Sequence, residues 1–262
     1  MHITSLDHVI LPVAGLAKAA APFERLGLSL TPAMKHGGAA TENRALFVGN
    51  DATEFYVELL GVHDRALAAS SGQDDLVTAI DGGSGLLRLM LRVDDLAGAA
   101  AGLEKAGLAA APREVFRGDG TKICDVLAVE GAAAGCSISL IQYAASRSDR
   151  IAGHQAAGHF SHAFPLLRLD HLAAITPKLD DATAFWVDTL GVPVFGEVSG
   201  RGMLIRQMKV GDAIFELIGP DSPESPVASR PGGLISMSAF EVSDLDGAVA
   251  LALSMPAFPS WP

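Results

Sequence analysis

Three polar side chains recur together twice in this chain. His8, in the stretch "SLDHVILPV" (5–13), is matched by His171 in "RLDHLAAIT" (168–176). Arg44 stands five residues before Gly49, and Arg206 five before Gly211. Glu58 lies in "VELLG" and Glu216 in "FELIG". An imidazole beside a carboxylate can move a proton or hold a divalent ion, and a guanidinium fork suits a carboxylate or another anion. One polar residue in an apolar strand carries little information; the same trio at matched places asks for a cause. Strand parity sharpens the pattern. Along 53–60, Glu54, Tyr56, Glu58 and Leu60 point one way and Phe55, Val57 and Leu59 the other. The apolar row is expected to cover a helix. The polar row would face the concave side of a curved sheet, where a buried carboxylate needs a partner or a metal. Arg44 and Arg206 are the available ion-pair partners if no ligand is involved. Glu54 reads as a rim residue, and Tyr56 either lines the cleft or packs. Asp7 and Asp170, of opposite parity to their histidines, read as backbone-bonding residues at strand starts.

The elements that would position these residues repeat as well. Leu16, Ala19, Ala20, Phe23 and Leu26 recur at helical spacing before Gly27. Leu96, Ala99, Ala100, Leu103 and Gly107 repeat that plan in 89–108, and Leu179, Ala182, Phe185, Trp186, Leu190 and Gly191 repeat it in 172–192. A fourth copy starts in 234–253, with Leu245. Asp94 or Asp95, and Asp180 or Asp181, are candidate N-caps. β-like runs follow the helices: "LSLTP", "NRALFVG" and "TEFYVELLG" in the first unit, "KICDVLAVE" and "CSISLIQY" in the second, "VPVFGEV", "MLIRQMKVG" and "AIFELIG" in the third. The inferred unit is β-α-β-β-β, and the expected class is α+β with curved mixed sheets. Units one and two fill 1–143. Residues 144–165, rich in Ala, Gly, Ser and His, read as a linker, and 166–262 hold unit three and part of unit four. That last unit stops at "SMPAFPSWP", where Pro256, Pro259 and Pro262 forbid further helix or central strand. Eight residues before the helix-start leucines stand His8, Arg88, His171 and Met237, and the last strands align Glu58, Ser139 and Glu216. Units one and three carry the trio; unit two does not.

Composition bounds the function. The 262 residues are 49% hydrophobic and 19% charged, as in a globular protein, and the net charge of −11 argues against nucleic-acid or anionic-membrane partners. Cys124 and Cys136 form no CxxC pair and read as ordinary strand residues in a reducing compartment. No apolar run approaches the roughly 20 residues of a membrane span, and a strand so near the start leaves no room for a signal peptide. A cytoplasmic location is expected. His154, His159 and His162 in "HQAAGHFSH" read as part of a flexible linker rather than a metal site, and "DGGSG" reads as a turn.

The β-α-β-β-β units with "LDHVILPV" and "YVELLG" resemble the vicinal oxygen chelate superfamily, which includes glyoxalase I, methylmalonyl-CoA epimerase, extradiol dioxygenases and bleomycin- and fosfomycin-resistance proteins. With "HGGAATENRALFVG" ahead of its Glu strand, the first unit is most similar to the glyoxalase-like domain group. The resemblance implies a glyoxalase-like fold over almost the whole chain and places His36 and Asn43 near a cleft mouth. It implies that His8, Glu58, His171 and Glu216 match metal-ligand positions for Mn, Fe, Co, Ni or Zn. The ion would polarise a substrate carbonyl while Glu58 or Glu216 moves a proton, and Arg44 and Arg206, with Tyr56, would hold the small-molecule substrate. Family members pool ligands from adjacent units. Here units two and four offer Arg88, Ser139 and Met237 instead. A pooled site therefore needs units one and three to face each other, within the chain or across a homodimer; otherwise two half-sites result. Three functions stay open. The favoured one is a metal-dependent lyase or isomerase of glyoxalase type acting on a small carbonyl or carboxylate metabolite. The others are a non-enzymatic binding or resistance protein with Glu58 held by Arg44, and an extradiol-type dioxygenase, against which Met237 counts.

Overall fold

Leu-Asp-His lies in β1 (Ile3–Val13), whose Leu6, Val9 and Val13 are buried. The structure, a computed structural model, describes residues 2–37, 39–49, 54–71, 73–83, 85–129 and 133–255. After β1 come α1 (Leu16–Arg25), β2 (Met34–Gly37), β3 (Thr41–Val48), β4 (Phe55–Val62), α2 (Arg65–Ser70) and α3 (Asp74–Asp81). Unit two holds β5 (Arg88–Val93), α4 (Leu96–Lys105), β6 (Arg113–Arg117), β7 (Lys122–Val129) and β8 (Ser137–Tyr143), and α5 (Arg147–Ala156) follows it. Next are β9 (Leu166–Ile175), α6 (Leu179–Ala184) with a π-helical turn over Phe185–Thr189, β10 (Val194–Gly200), β11 (Met203–Val210), β12 (Ala213–Pro220), β13 (Ile235–Val242) and α7 (Leu245–Ser254). The α+β class and the β-α-β-β-β plan expected from sequence are present. Gly27, Gly107 and Gly191 end the first helix of their units at φ of 82°, 81° and 73°, a backbone that favours glycine.

Units one and two close on each other. β1 is parallel to β4 and antiparallel to β5, β5 is parallel to β8, and β2 is antiparallel to β6, giving a closed barrel in the order β1-β4-β3-β2-β6-β7-β8-β5. The pairs His8↔Met90 and Ile10↔Arg88 relate the two units by a local two-fold relation. Unit three and the strand of unit four make a second sheet, β10-β11-β12-β9-β13. Helices cover the convex faces, as the apolar strand parity requires: Leu59 packs with Leu16 and Ala20, and Leu89, Leu91 and Leu140 pack with Leu96, Ala99 and Leu103. Each such large side chain contributes about 1.5–3 kcal/mol by leaving water. The main cluster runs on into unit three, where buried Trp186 stacks on Phe215 at 4.5 Å and donates from Nε1 to the Ala134 carbonyl at 3.0 Å.

Several details depart from the sequence reading. Residues 28–32 form no strand; Pro32 has no N–H to give a ladder, and β2 forms after it at Met34–Gly37. Unit two has a further strand, β6, and α2 and α3 connect units one and two. Residues 144–165, read as a linker, contain α5, whose N-cap Ser146 accepts from the Asp149 amide. Asp95 caps α4 by accepting from the Gly98 amide, but Asp180 and Asp181 lie in the first turn of α6 and do not cap it. Pro256, Pro259 and Pro262 lie outside the described residues. No helix of the described residues is long and apolar enough to cross a membrane.

Candidate functional site

The site begins with a β-bulge. The β1–β5 register passes from Leu6↔Leu91 to His8↔Met90, so Asp7 is skipped and its side chain turns inward beside that of His8. This overturns the parity expected for Asp7. Its Oδ1 lies 2.6 Å from His8 Nδ1 and accepts from Tyr143 Oη at 2.8 Å, while Oδ2 accepts from Arg92 Nε at 2.7 Å. Burial alone would raise the Asp7 carboxyl, but the bond to His8 and the charge of Arg92 outweigh it and hold it at about 2. Burial alone would lower the His8 imidazole, yet its bonds to Asp7 and Glu58 lift it to about 9. His8 is therefore an imidazolium at neutral pH. Tyr56 stacks on it, ring centroids 4.3 Å apart, an arrangement that favours the cation.

His8 Nε2 faces Glu58 Oε2 at 3.5 Å, and Glu58 Oε1 accepts from Asn43 Nδ2 at 2.5 Å. Burial would raise Glu58, but His8 dominates and its carboxyl lies below the ordinary range. His8, Asn43, Tyr56 and Glu58 line a barrel cavity of about 970 Å³, together with His36, which burial keeps neutral. Two cross-strand rows span the cavity wall: Tyr56–His8–Met90–Ser139, and Glu58–Ile10–Arg88–Ser137. Thus Arg88 and Ser139 occupy the unit-two places equivalent to His8 and Glu58. Arg88 is ion-paired with Asp75 at the end of α3 that borders the cavity. Ile10, Leu60, Met90, Val126 and Ile141 form an apolar patch of the wall.

Behind His8, a charged cluster ties the barrel to α5. Arg92 Nη1 donates to Glu54 at 2.7 Å, and Glu54 also meets Arg150 Nη2 at 3.1 Å and Arg147 Nε at 3.3 Å. Glu54 is thus a buried clamp, not a rim residue, and it holds a left-handed φ of 49° to be one. Arg150 also lies over the Tyr143 ring at 3.9 Å. His154 and His159 pack against Phe47, and His162 Nε2 lies 2.8 Å from the Phe47 carbonyl oxygen.

The second sheet repeats the bulge without the enclosure. The β9–β13 register passes from Ala239↔His171 to Phe240↔Leu169, skipping Asp170, whose Oδ2 lies 2.7 Å from His171 Nδ1. Glu216 Oε2 is 3.9 Å from His171 Nε2, and Glu216 Oε1 accepts from Gln207 at 2.7 Å. These four residues do not line the barrel cavity, so His8 and Glu58 are not brought together with His171 and Glu216. The arginines face away as well. Arg44 donates to the Thr31 carbonyl at 2.8 Å and pairs with Glu24 of α1 at 2.8 Å, while Arg206 pairs with Asp180 at 2.7 Å and Glu197 at 3.1 Å. Adjacent-strand parity explains this: Asn43 points into the barrel, so Arg44 points out. Glu58 is held by Asn43 and His8 instead of Arg44.

The donor set decides the metal question. Each half-site pairs one imidazole with one carboxylate, and in the barrel His36 also lines the cavity, with its Nδ1 2.8 Å from Thr41 Oγ1. The barrel adds Arg88 and Ser139 where further ligands would stand, and the second sheet adds Met237. Among the described residues no three His, Cys, Asp or Glu side chains form a metal-holding group. A guanidinium at a ligand place also repels a cation. The residues present do not fit a protein-held divalent ion. Sequence reasoning missed Asp7, Arg92 and Tyr143; the lone Arg92 in "LMLRV" was the available signal, since a buried guanidinium requires a carboxylate.

Comparison with known proteins places this geometry. A family model described as "Glyoxalase-like domain" matches residues 6–166, and one described as "Glyoxalase/Bleomycin resistance protein/Dioxygenase superfamily" matches 170–257. No curated protein matches this chain. A solved hypothetical protein from Staphylococcus aureus is 16% identical over 84% of this chain and 87% of its own, with a TM-score of 0.66. A triple mutant of 4-hydroxymandelate synthase from Streptomyces coelicolor is 18% identical over 96% and 74%, with a TM-score of 0.65. At these identities the likeness is one of fold.

Proposed function

We propose that this chain, which belongs to the glyoxalase-like domain family, is an enzyme of isomerase or lyase type that moves a proton on the carbon beside a carbonyl group in a small molecule bound in the barrel cavity. The observation that carries the reading is the buried pair of Glu58 and His8, 3.5 Å apart on the wall of a 970 Å³ cavity. Glu58 is ionised and can accept the proton as the C–H bond breaks. The electron pair moves to the carbonyl oxygen as an enolate. The His8 imidazolium, beside Glu58, supplies the positive charge that such an oxyanion needs in a water-poor site. Return of the proton to the opposite face of the same carbon completes an epimerisation; loss of a β-substituent with its bonding pair, taking up the proton held by Glu58, re-forms the carbonyl beside a new C=C bond and completes a lyase reaction. Asn43 orients Glu58, while Asp7 and Arg92 orient His8 and keep it charged. No step is routed through a metal, because the donor set does not fit one.

The test is solvent deuterium incorporation at C3, the carbon beside the keto group, of a panel of 2-oxo acids, followed by proton NMR, with wild type and Glu58→Gln. The expected result is exchange that falls by about 10²–10⁴ in the variant, as for loss of a positioned general base. Equal exchange in both proteins would overturn the role of Glu58. The apolar patch of Ile10, Leu60, Met90, Val126 and Ile141 also suits a binding protein of the resistance kind, and ligand binding without any exchange would favour that second reading.

A further inference from the structure

Ser139 is fully buried in β8, shares the inward face of the barrel with Ile141 and Tyr143, and lines the cavity. Its Oγ finds no hydrogen-bond partner among the described residues. A buried hydroxyl without a partner is costly, so such a group in a cavity wall points to an acceptor or donor that arrives with a ligand. Ser139 lies on the same cross-strand row as His8, two strands away with Met90 between them, so a molecule facing Glu58 and His8 is within its reach. A second observation concerns charge. Arg113 of β6 lines the cavity and has no carboxylate partner among the described residues, although its charge is felt at His36 and Cys124. Of the other cations of the wall, His8 is committed to Asp7 and Glu58 and Arg88 to Asp75, while Lys178 lines the cavity from unit three, beyond the barrel strands. Arg113 is an exposed residue at the cavity wall, and an uncommitted guanidinium there, on a chain of net charge −11, marks where a ligand anion is favoured. Between these two polar points the wall is Ile10, Leu60, Met90, Val126 and Ile141.

We propose that the cavity takes an amphipathic organic carboxylate whose anionic end meets Arg113, whose apolar body lies on the Ile10–Met90–Ile141 wall, and whose further oxygen accepts a hydrogen bond from Ser139 Oγ. This deepens the proton-transfer reading and rests on the same cavity, but it concerns binding and does not require turnover. Arg113 and Ser139 are positioning residues in this scheme, and Arg113 takes the role that Arg44 and Arg206 cannot fill from outside the barrel.

The experiment is calorimetric titration of wild type, Arg113→Gln and Ser139→Ala with 2-oxooctanoate, octanoate and octanamide, alongside thermal unfolding of the same proteins. Wild type is expected to bind both acids at least tenfold tighter than octanamide. Arg113→Gln should lose at least tenfold for both acids and nothing for the amide. Ser139→Ala should weaken 2-oxooctanoate about tenfold, the effect of one hydrogen bond to a ligand, and octanoate less. Its unfolding temperature should be unchanged or higher, because the substitution removes an unpaired buried hydroxyl. Lower stability with unchanged affinity would make Ser139 a structural residue and overturn its part of the proposal. Equal binding of acid and amide, or no binding of either acid, would overturn the carboxylate assignment. Tight binding of the acids without exchange at C3 of 2-oxooctanoate would sink the proton-transfer reading alone, and exchange without preference for acids would sink this one alone.

Discussion

Folding stability is expected to decline by about 3 kcal/mol between pH 6.5 and 9, and His8→Gln should abolish the decline. In the unfolded chain the His8 imidazole titrates near 6.5; in the fold, held by Asp7 and Glu58, it titrates at about 9. Below 6.5 both states carry the proton, and the full stabilisation is present. Between the two values only the folded state carries it, so stability falls as pH rises, by about 1.4 kcal/mol per pH unit. Across that interval the loss comes to about 3 kcal/mol. The groups facing His8 do not mimic the effect. Asp7 is depressed to about 2, so its contribution is complete above the ordinary 3.8 and is lost only as pH falls toward 2. Glu58 is also shifted downward, and Tyr56 and Tyr143 are pushed well above 10.0 by burial. Burial moves the Cys124 and Cys136 thiols to about 12, so they begin to matter only above their ordinary 9.0. The assay is urea unfolding of wild type and His8→Gln at intervals from pH 5.5 to 9 (conditions chosen to bracket the two values). A wild-type stability that stays level across this range, or an equal slope in the variant, would refute the imidazolium between two carboxylates.

Three further outcomes follow from the packing. Glu54→Gln leaves Arg92 and Arg150 short of a buried carboxylate and should cost about 3–5 kcal/mol in urea unfolding, with faster tryptic cleavage at α5; a cost below about 1 kcal/mol would show that the clamp carries no weight. Trp186→Ala removes a fully buried ring and its bond to the Ala134 carbonyl, and should cost about 3–5 kcal/mol by the same measurement, with unchanged stability as the refuting result. Gly37→Ala would drive a methyl group into the Arg117 backbone oxygen where β2 meets β6; a cost of about 1–3 kcal/mol and faster amide exchange in both strands are expected, and unaltered exchange would contradict the tight closure there.

Much of the architecture was legible because local chemistry and tertiary structure agree. The helix-start leucines, the glycines that end the helices and the alternation of 53–60 all report burial on one face, which is a local property. Glu58 and His8 were found because duplication printed them twice. The bulges were not legible: nothing in "LDH" says that Asp7 leaves the ladder, and one skipped residue inverts the parity on which its reading rested. The destination of Arg44 depended on the direction of β3, which is set by Asn43 and not by arginine chemistry. The clamp joining Arg92, Glu54 and Arg150 links residues as much as 96 positions apart, and charge spacing along the chain cannot register such a contact. The α5 segment looked like a linker because its composition is polar; its helix is held by a cap and by Glu54, not by an apolar stripe.

The two sheets differ in their exposure to aggregation. Every strand of the barrel has a neighbour on both sides, so its backbone offers no template to another chain. In the second sheet, β10 pairs only with β11 and β13 pairs along its length only with β9 among the described residues. Each presents a free row of amide and carbonyl groups, and β13 adds the exposed Met237 and Phe240. Unprotected rows of this kind recruit strands from neighbouring molecules, especially at high concentration or during heating. Self-association of this protein under stress should therefore start at the free edges of β10 and β13.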